Sequence, residues 1–305
     1  MKKFWQWAAT LVVVTFGIPS LIVFGGGFYN PLLLDHLEDS AKMGTANTVN
    51  EEDTAQMICY LAGVVPYDQH IESIKAQAVI VRTYLQKESQ KNTQKNTEKE
   101  ANRLPSLTIE EMKELWGTDF KAIYSLYESA VNATKGEVLT YEGQLIEPVY
   151  HKNNTGVTRD GAWLYGVDIP YLKSVKSQDV PVESEKIILK TAFSEILKTQ
   201  YPNMILAPED IAHQIQVIQK DDAGYIKQLQ IGNQLIEGED LKESVGISST
   251  CFSLISNGDV LVFHTKGVGH GVGLSQEGAN HMAKENDTYQ EILHHYYTDI
   301  EISGK

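Results

Sequence analysis

Glu72 is a carboxylate in an unexpected setting. It lies in the run Ile71-Glu72-Ser73-Ile74-Lys75-Ala76-Gln77-Ala78-Val79-Ile80-Val81-Arg82-Thr83-Tyr84. Ile71, Ile74, Ala78, Val81 and Leu85 recur there at spacings of three and four, the period of one helix face. Glu72 falls nearly opposite that stripe, beside Ala76, Val79 and Thr83, where a surface helix would carry Lys, Glu or Gln. A helix covered on both sides buries its carboxyl group, and burial favours the protonated form that a general acid needs. Asp68 reads as the N-cap, which puts Glu72 near the first turn, where the helix dipole favours the ionised form instead. The sequence does not rank these two effects. The plainer alternative is a solvated Glu72 paired with Lys75.

A second cluster of chemical interest is the glycine run. Gly267, Gly269, Gly271 and Gly273 alternate with Val268, His270, Val272 and Leu274. In an extended chain this leaves one face bare, so that another chain or a sugar ring can approach closely. A tight turn with His270 in the core is the other reading. The spacing is neither that of a dinucleotide fingerprint nor that of a P-loop, which argues against a nucleotide site. Ser275 reads as the cap of a helix over 276–284, and Thr288 with Glu291 as a capping box. His294 and His295 read as packing residues of the C-terminal helix.

These residues need a scaffold of 305 residues, enough for one large core or two modest ones. The formal net charge of −14 excludes a nucleic-acid binder. Lys2 and Lys3 precede an uncharged stretch over 4–34, and the first charges beyond it are Asp35, Glu38 and Asp39. This predicts one transmembrane helix within 1–34, its N-terminus cytoplasmic and the rest of the chain extracytoplasmic, at the cell membrane. A cleaved signal peptide is the alternative. The two cysteines, Cys59 and Cys251, sit in apolar surroundings and read as free thiols, with a disulfide left open.

Residues 35–54 read as a tether and 55–305 as the folded part. An extended segment over 57–65 leads through Pro66 to the Glu72 helix. Over 86–103 the tetrad Gln-Lys-Asn-Thr repeats, and Lys87, Lys91, Lys95 and Lys99 recur every fourth residue, as in a solvated helix extension or loop. Helices follow over 109–115 and 121–131. A hairpin over 137–141 and 144–150 turns at Glu142-Gly143. Residues 183–263 read as a smaller inserted α/β lobe. It comprises a helix over 185–200, strands over 214–219 and 225–231, a helix over 238–245, and paired strands over 250–255 and 260–265. Helices and strands without regular alternation make the class α+β.

The Glu72 run resembles the E-A-L-K-A-Q-A-V-A-A-R-T-Y signature of the stage II sporulation protein D (SpoIID/LytB) family. Gly267 to Ala279 resembles that family's G-W-G-H-G-V-G-M-S-Q-Y-G-A block. A weaker middle block runs from Ala133-Thr134-Lys135-Gly136-Glu137-Val138-Leu139 through Tyr150-His151 to Gly156 and Thr158. The resemblance implies a SpoIID-type catalytic core and a membrane-anchored lytic transglycosylase. Such an enzyme cleaves MurNAc–GlcNAc bonds of peptide-stripped peptidoglycan strands during engulfment in sporulation. Glu72 is then general acid and base, with Lys75, Gln77, Arg82, Tyr150, His151, His270 and Gln276 as substrate-binding residues. The implied partners are a cell-wall amidase of the SpoIIP type and other engulfment membrane proteins. The family's LytB side implies an alternative, a non-catalytic glycan binder that recruits or enhances an amidase.

Two departures stand out. After the middle Tyr, where the family often has Ser and Gly, this chain reads Lys152-Asn153-Asn154-Thr155-Gly156-Val157-Thr158. Some members also carry His and Cys just after the R-T-Y signature in an arrangement able to hold zinc. Here that region has neither, so no metal and no other cofactor are expected.

Overall fold

A computed structural model describes residues 54–92 and 104–304. The expected membrane helix, nearly all of the tether and the repeat tetrads beyond Asn92 lie outside those residues. Among the described residues, no helix is long and apolar enough to cross a membrane.

The fold is organised around one helix with two buried faces. Helix α1 (Thr54–Val64) is followed by α2 (Ile71–Asn92), α3 (Ile109–Trp116) and α4 (Phe120–Ala133). On one side of α2, Ile74, Ala78 and Val81 join Met57, Ile58 and Leu61 of α1, Met112 and Trp116 of α3, and Ile123 and Tyr127 of α4. On its other side Ala76, Val79 and Ile80 belong to a second core with Leu139, Leu172, Val272, Leu274, Ala279 and Ile292. The doubly covered helix read from the sequence is therefore observed.

Two readings near it are corrected. Residues 57–65 are not extended. Met57, Ile58, Leu61 and Val65 recur as one helical face, which a short apolar run does not distinguish from a strand. Asp68 is not the cap of α2. The chain turns at 66–69, with Gln69 N–H on the Pro66 carbonyl (3.5 Å), and His70 takes the capping place. Its carbonyl accepts from Ile74 N–H (3.1 Å) and its Nδ1 from Glu72 N–H (3.3 Å).

Strand β1 (Val138–Tyr141) and β2 (Gln144–Leu145) form the expected hairpin, with Glu142 and Gly143 both at positive φ, 50° and 75°. The second arm is shorter than expected. The chain leaves the hairpin after Leu145, and β3 (Tyr150–His151) runs parallel to β10 (Leu274–Ser275), pairing Tyr150 with Leu274 and His151 with Ser275. That pairing joins the middle block to the glycine block.

The glycine run is not an extended strand. All four glycines have positive φ, so the run coils instead of presenting one bare face. Nor is the missing side-chain space left to a ligand. A Cβ on Gly273 would lie 2.0 Å from the Val149 carbonyl oxygen, and one on Gly271 2.8 Å from Cζ of Tyr225. The close approach is made by the protein's own chain. The run ends in α8 (Gln276–Lys284), capped by the Ser275 hydroxyl on Gly278 N–H, and α9 (Tyr289–Tyr296) carries the expected Thr288–Glu291 capping box. The last strand, β11 (Glu301–Ser303), pairs with β1.

A third core gathers Phe193, Leu197, Ile211, Leu229, Ile236, Leu241 and Phe263. Around it lie β4 (Glu183–Leu189), α6 (Lys190–Gln200), β5 (Ile215–Lys220), β6 (Ile226–Ile231), β7 (Gln234–Glu237), α7 (Gly238–Val245), β8 (Phe252–Asn257) and β9 (Val260–Lys266). A four-residue helix, α5 (Ala162–Tyr165), precedes them. The sheets have the orders β4-β9-β8 and β5-β6-β7. The helix expected over 185–200 begins only at Lys190. Residues 183–189 pair with β9 at every position from Glu183–Lys266 to Leu189–Val260, a ladder with a partner more than 70 residues away. Strand β7 was not read from the sequence.

Candidate active site

The Glu72 carboxylate is held at both oxygens. Oε1 accepts from the Lys75 ammonium at 2.6 Å, one helical turn on, and Oε2 accepts from the backbone N–H of Tyr289 at 2.9 Å. Tyr289 is the first residue of α9, so its N–H is one of the unpaired donors at the positive end of that helix. The neighbouring His70 N–H donates to Asn280 of α8 at 2.8 Å. Three helices, α2, α8 and α9, thus fix the position of the group, and a fifth of its side chain stays open to solvent.

Burial pushes the Glu72 carboxyl up. The Lys75 hydrogen bond, the Tyr289 N–H and the charges of Lys75 and His70 together outweigh this, and the net shift is downward. At neutral pH the group rests as a carboxylate. It is ready to accept a proton, and must gain one before it can donate. The balance that the sequence left open goes to the ionised form, and the ion pair with Lys75 is present as well.

Tyr289 extends the arrangement. The Lys75 ammonium lies 5.8 Å from the centre of its ring, and its hydroxyl donates to Glu137 Oε1 at 3.0 Å. Burial and the Glu137 and Glu72 carboxylates push the phenol up to about 12. The other oxygen of Glu137 is buried without a hydrogen-bond partner.

The remaining sequence-derived candidates fall into three places. Gln77 and Gln276 meet each other. Gln276 Nε2 donates to the Val64 carbonyl (2.7 Å) and to Gln77 Oε1 (3.2 Å), both side chains are buried, and Gln77 Nε2 has no partner. Arg82 is buried further along α2, where it donates to the carbonyls of Glu137 (3.1 Å) and Val131 (3.4 Å) and ties α2 to the start of β1 and to α4. His151, His270 and Tyr150 gather at the β3–β10 pairing, the two imidazoles 5.9 Å apart.

His151 is buried. Its Nδ1–H donates to the Val272 carbonyl (3.1 Å), which leaves Nε2 to accept from the Asn154 amide (3.1 Å). Burial and the neighbouring His270 hold its pKa down at about 3. His270 is half-buried and accepts from Val272 N–H at Nδ1 (3.1 Å). Burial and the cations Lys242 and Arg159 bring it down to about 4. The Tyr150 phenol is half-buried and pushed up by burial and by Tyr84. Of the seven residues expected to bind substrate, Lys75 alone touches Glu72.

Sequence reasoning missed Tyr289, Glu137 and Asp179. The capping box announced the α9 terminus, but not that its first N–H would meet a side chain 217 positions earlier. Asp179 Oδ1 gathers Asn153 Nδ2 (3.0 Å), Asn154 N–H (3.2 Å) and the Ser275 hydroxyl (2.7 Å), and so fixes the departing middle loop to the cap of α8. An aspartate in an irregular segment carries no sequence signal for this. Among the described residues no three His, Cys, Asp or Glu side chains gather where they could hold a metal ion. Cys59 and Cys251 are half-buried thiols, and neither is in a disulfide.

Residues 41–141 match the family model described as stage II sporulation protein, SpoIID. The stage II sporulation protein D of Bacillus amyloliquefaciens is 31% identical over 254 residues, which cover 80% of this chain and 73% of that protein. That of Bacillus subtilis is 31% identical over 255 residues, with the same coverage. A protein of Bacillus subtilis named amidase enhancer is 23% identical over 292 residues, covering 78% of this chain and 39% of that protein. The chain belongs to the stage II sporulation protein D family.

Proposed function

We propose that this member of the family is a peptidoglycan lytic transglycosylase acting on peptide-stripped glycan strands, with Glu72 as its general acid and base. The supporting observation is the lodging of a single, partly exposed carboxylate between a lysine and a helix N-terminus, at the start of the motif that carries the family resemblance.

A glycosidase that uses water needs two carboxyl groups. A transglycosylase that closes a ring needs one. Glu72, once protonated, gives its proton to the glycosidic oxygen as the bond from C1 of the muramoyl sugar breaks. The hydroxymethyl oxygen of that same sugar then attacks C1, and Glu72 takes the proton it releases. One bond breaks, one forms, and no water is consumed. Proton transfer of this kind contributes about 10²–10⁴-fold in rate.

In this reading residues 1–34 anchor the protein in the cell membrane, residues 35–54 form a tether, and residues 55–305, with the lobe at about 183–263, work outside the cytoplasm. The activity serves sporulation, beside an amidase that removes the stem peptides. The test compares wild type and Glu72→Gln on peptide-stripped strands, with chain ends read by mass spectrometry. Anhydromuramoyl ends from wild type alone are the expected result. Equal cleavage by Glu72→Gln would remove Glu72 from the mechanism. A second reading, an amidase-recruiting glycan binder, draws on the resting Glu72–Lys75 ion pair and on the relative named amidase enhancer. Glycan binding without cleavage by either protein is its signature.

A further inference from the structure

Glu72 rests in the state opposite to the one in which its first step begins, and the geometry shows which of its partners can change. The Tyr289 N–H is fixed at the start of α9 by the Thr288–Glu291 capping box. His70 is fixed by Asn280, and its Nδ1 is occupied by the Glu72 N–H. Lys75 is different. It is a long, flexible side chain, a fifth exposed, bound to Glu72 through its terminal ammonium and otherwise lying near the Tyr289 ring. Glu137 faces the cluster from the far side of Tyr289, through the phenol. To free Glu72, something must draw the Lys75 ammonium away, and an arriving anion does this most directly.

A peptide-stripped glycan strand carries such an anion. Removal of the stem peptide leaves a free carboxylate on the lactyl group of each muramoyl sugar, the sugar whose C1 is attacked. On a strand that keeps its peptide, the same carbonyl is a neutral amide. We propose that Lys75 is a positioning and specificity residue that passes from Glu72 to the lactyl carboxylate of the bound muramoyl sugar, so that the stripped substrate converts Glu72 from a paired carboxylate into a proton donor. The proposal rests on the transglycosylase reading above. Glu72 takes its proton from solvent when the ammonium leaves, and no bond other than that O–H forms in this step. An amide at the lactyl position leaves the Lys75–Glu72 pair in place and the enzyme slow.

The test uses the full-length protein and two preparations of one strand, one with free lactyl carboxylates and one with these converted to methylamides. Wild type should cleave the carboxylate form at least about tenfold faster, a preference worth about 1.4 kcal/mol. Lys75→Met should lose that preference and should cleave the methylamide form up to a higher pH than wild type, because Glu72 then keeps its proton longer. Lys75→Arg, which retains the charge, should restore the preference. Equal rates of wild type on both strands, or a preference that survives in Lys75→Met, would overturn the proposal while leaving the transglycosylase reading intact. Cleavage of neither strand by wild type would overturn both. Should Lys75→Met cleave neither strand, the comparison moves to binding by Glu72→Gln and Glu72→Gln/Lys75→Met. A carboxylate preference lost with Lys75 supports the proposal, and one that persists overturns it.

Discussion

His151 shows how a single ring is committed by its neighbours. Both nitrogens are used in the neutral form, one donating to Val272 and the other accepting from Asn154. Protonation would turn Nε2–H toward the Asn154 amide hydrogens in a site closed to water. The folded-state value near 3 lies below the ordinary value near 6.5, so between these limits the unfolded chain binds the extra proton. Stability therefore falls as pH drops below about 6.5, by at most about 1.4 kcal/mol per pH unit for one proton, and levels off near the folded value. Glu72, depressed by Lys75 and Tyr289, loses its contribution in the same direction at lower pH. Urea unfolding of wild type and His151→Gln between pH 7 and 4.5 separates the two. The variant should show a shallower decline, and an unchanged slope would remove His151 from the account.

At the scale of elements, the site depends on where helices begin and where strands stop. Thr288→Ala breaks the capping box that holds Tyr289, and should cost about 1 kcal/mol in thermal unfolding. A loss in turnover beyond that seen for Thr108→Ala, which breaks the equivalent box of α3, would show that the α9 terminus serves Glu72. The glycine run makes a sharper contrast. Gly273 has φ 73° with the Val149 oxygen in the way of any Cβ, whereas Gly156 has φ 93° and open space. Gly273→Ala should therefore destabilise by well over the roughly 1–3 kcal/mol of backbone strain alone, and Gly156→Ala by no more than that strain.

These elements also show what a sequence can reveal. Ser275, Thr288-Glu291, Glu142-Gly143 and the two faces of α2 were legible because each signal is local and lies within one turn or one period. The alternation of glycines leaves a bare strip and a tight turn both open, because spacing records side-chain absence and not the sign of φ, and the positive φ values select the turn. The segment 57–65 was misread because a run that is apolar throughout fits either period. β4 was misread because its ladder partner is distant. The Glu72–Tyr289 bond was beyond reach for the same reason, and it adds to the Lys75 hydrogen bond in favouring the ionised form of Glu72.

At the scale of the whole molecule, the question is how the core that holds Glu72 is joined to the sheets around Phe193 and Phe263. Part of that connection passes through Arg159. Its N–H donates to the Gly271 carbonyl (2.8 Å) and one Nη1 to the His270 carbonyl (2.9 Å), on the core side. Its Nε pairs with Asp221 at 2.5 Å, its Nη1 reaches Glu239 at 3.3 Å, and its guanidinium lies 4.7 Å from the centre of the Tyr225 ring, on the other side. The Arg159 and Asp221 side chains are each 2% exposed, so neither charge has water to fall back on. Removing one partner of such a pair costs about 3–5 kcal/mol, because the other is left buried and unpaired, while replacing both with apolar groups is often neutral. Arg159→Met should lose stability by that amount in urea, and Arg159→Met/Asp221→Leu should recover most of it. On the proposed reading of His270 as a glycan-binding residue, the double variant should refold fully yet bind glycan less tightly than wild type. A single variant within about 1 kcal/mol of wild type would show that the two cores are held together elsewhere, by the β9-to-glycine connection and the Asn153–Val268 bridge.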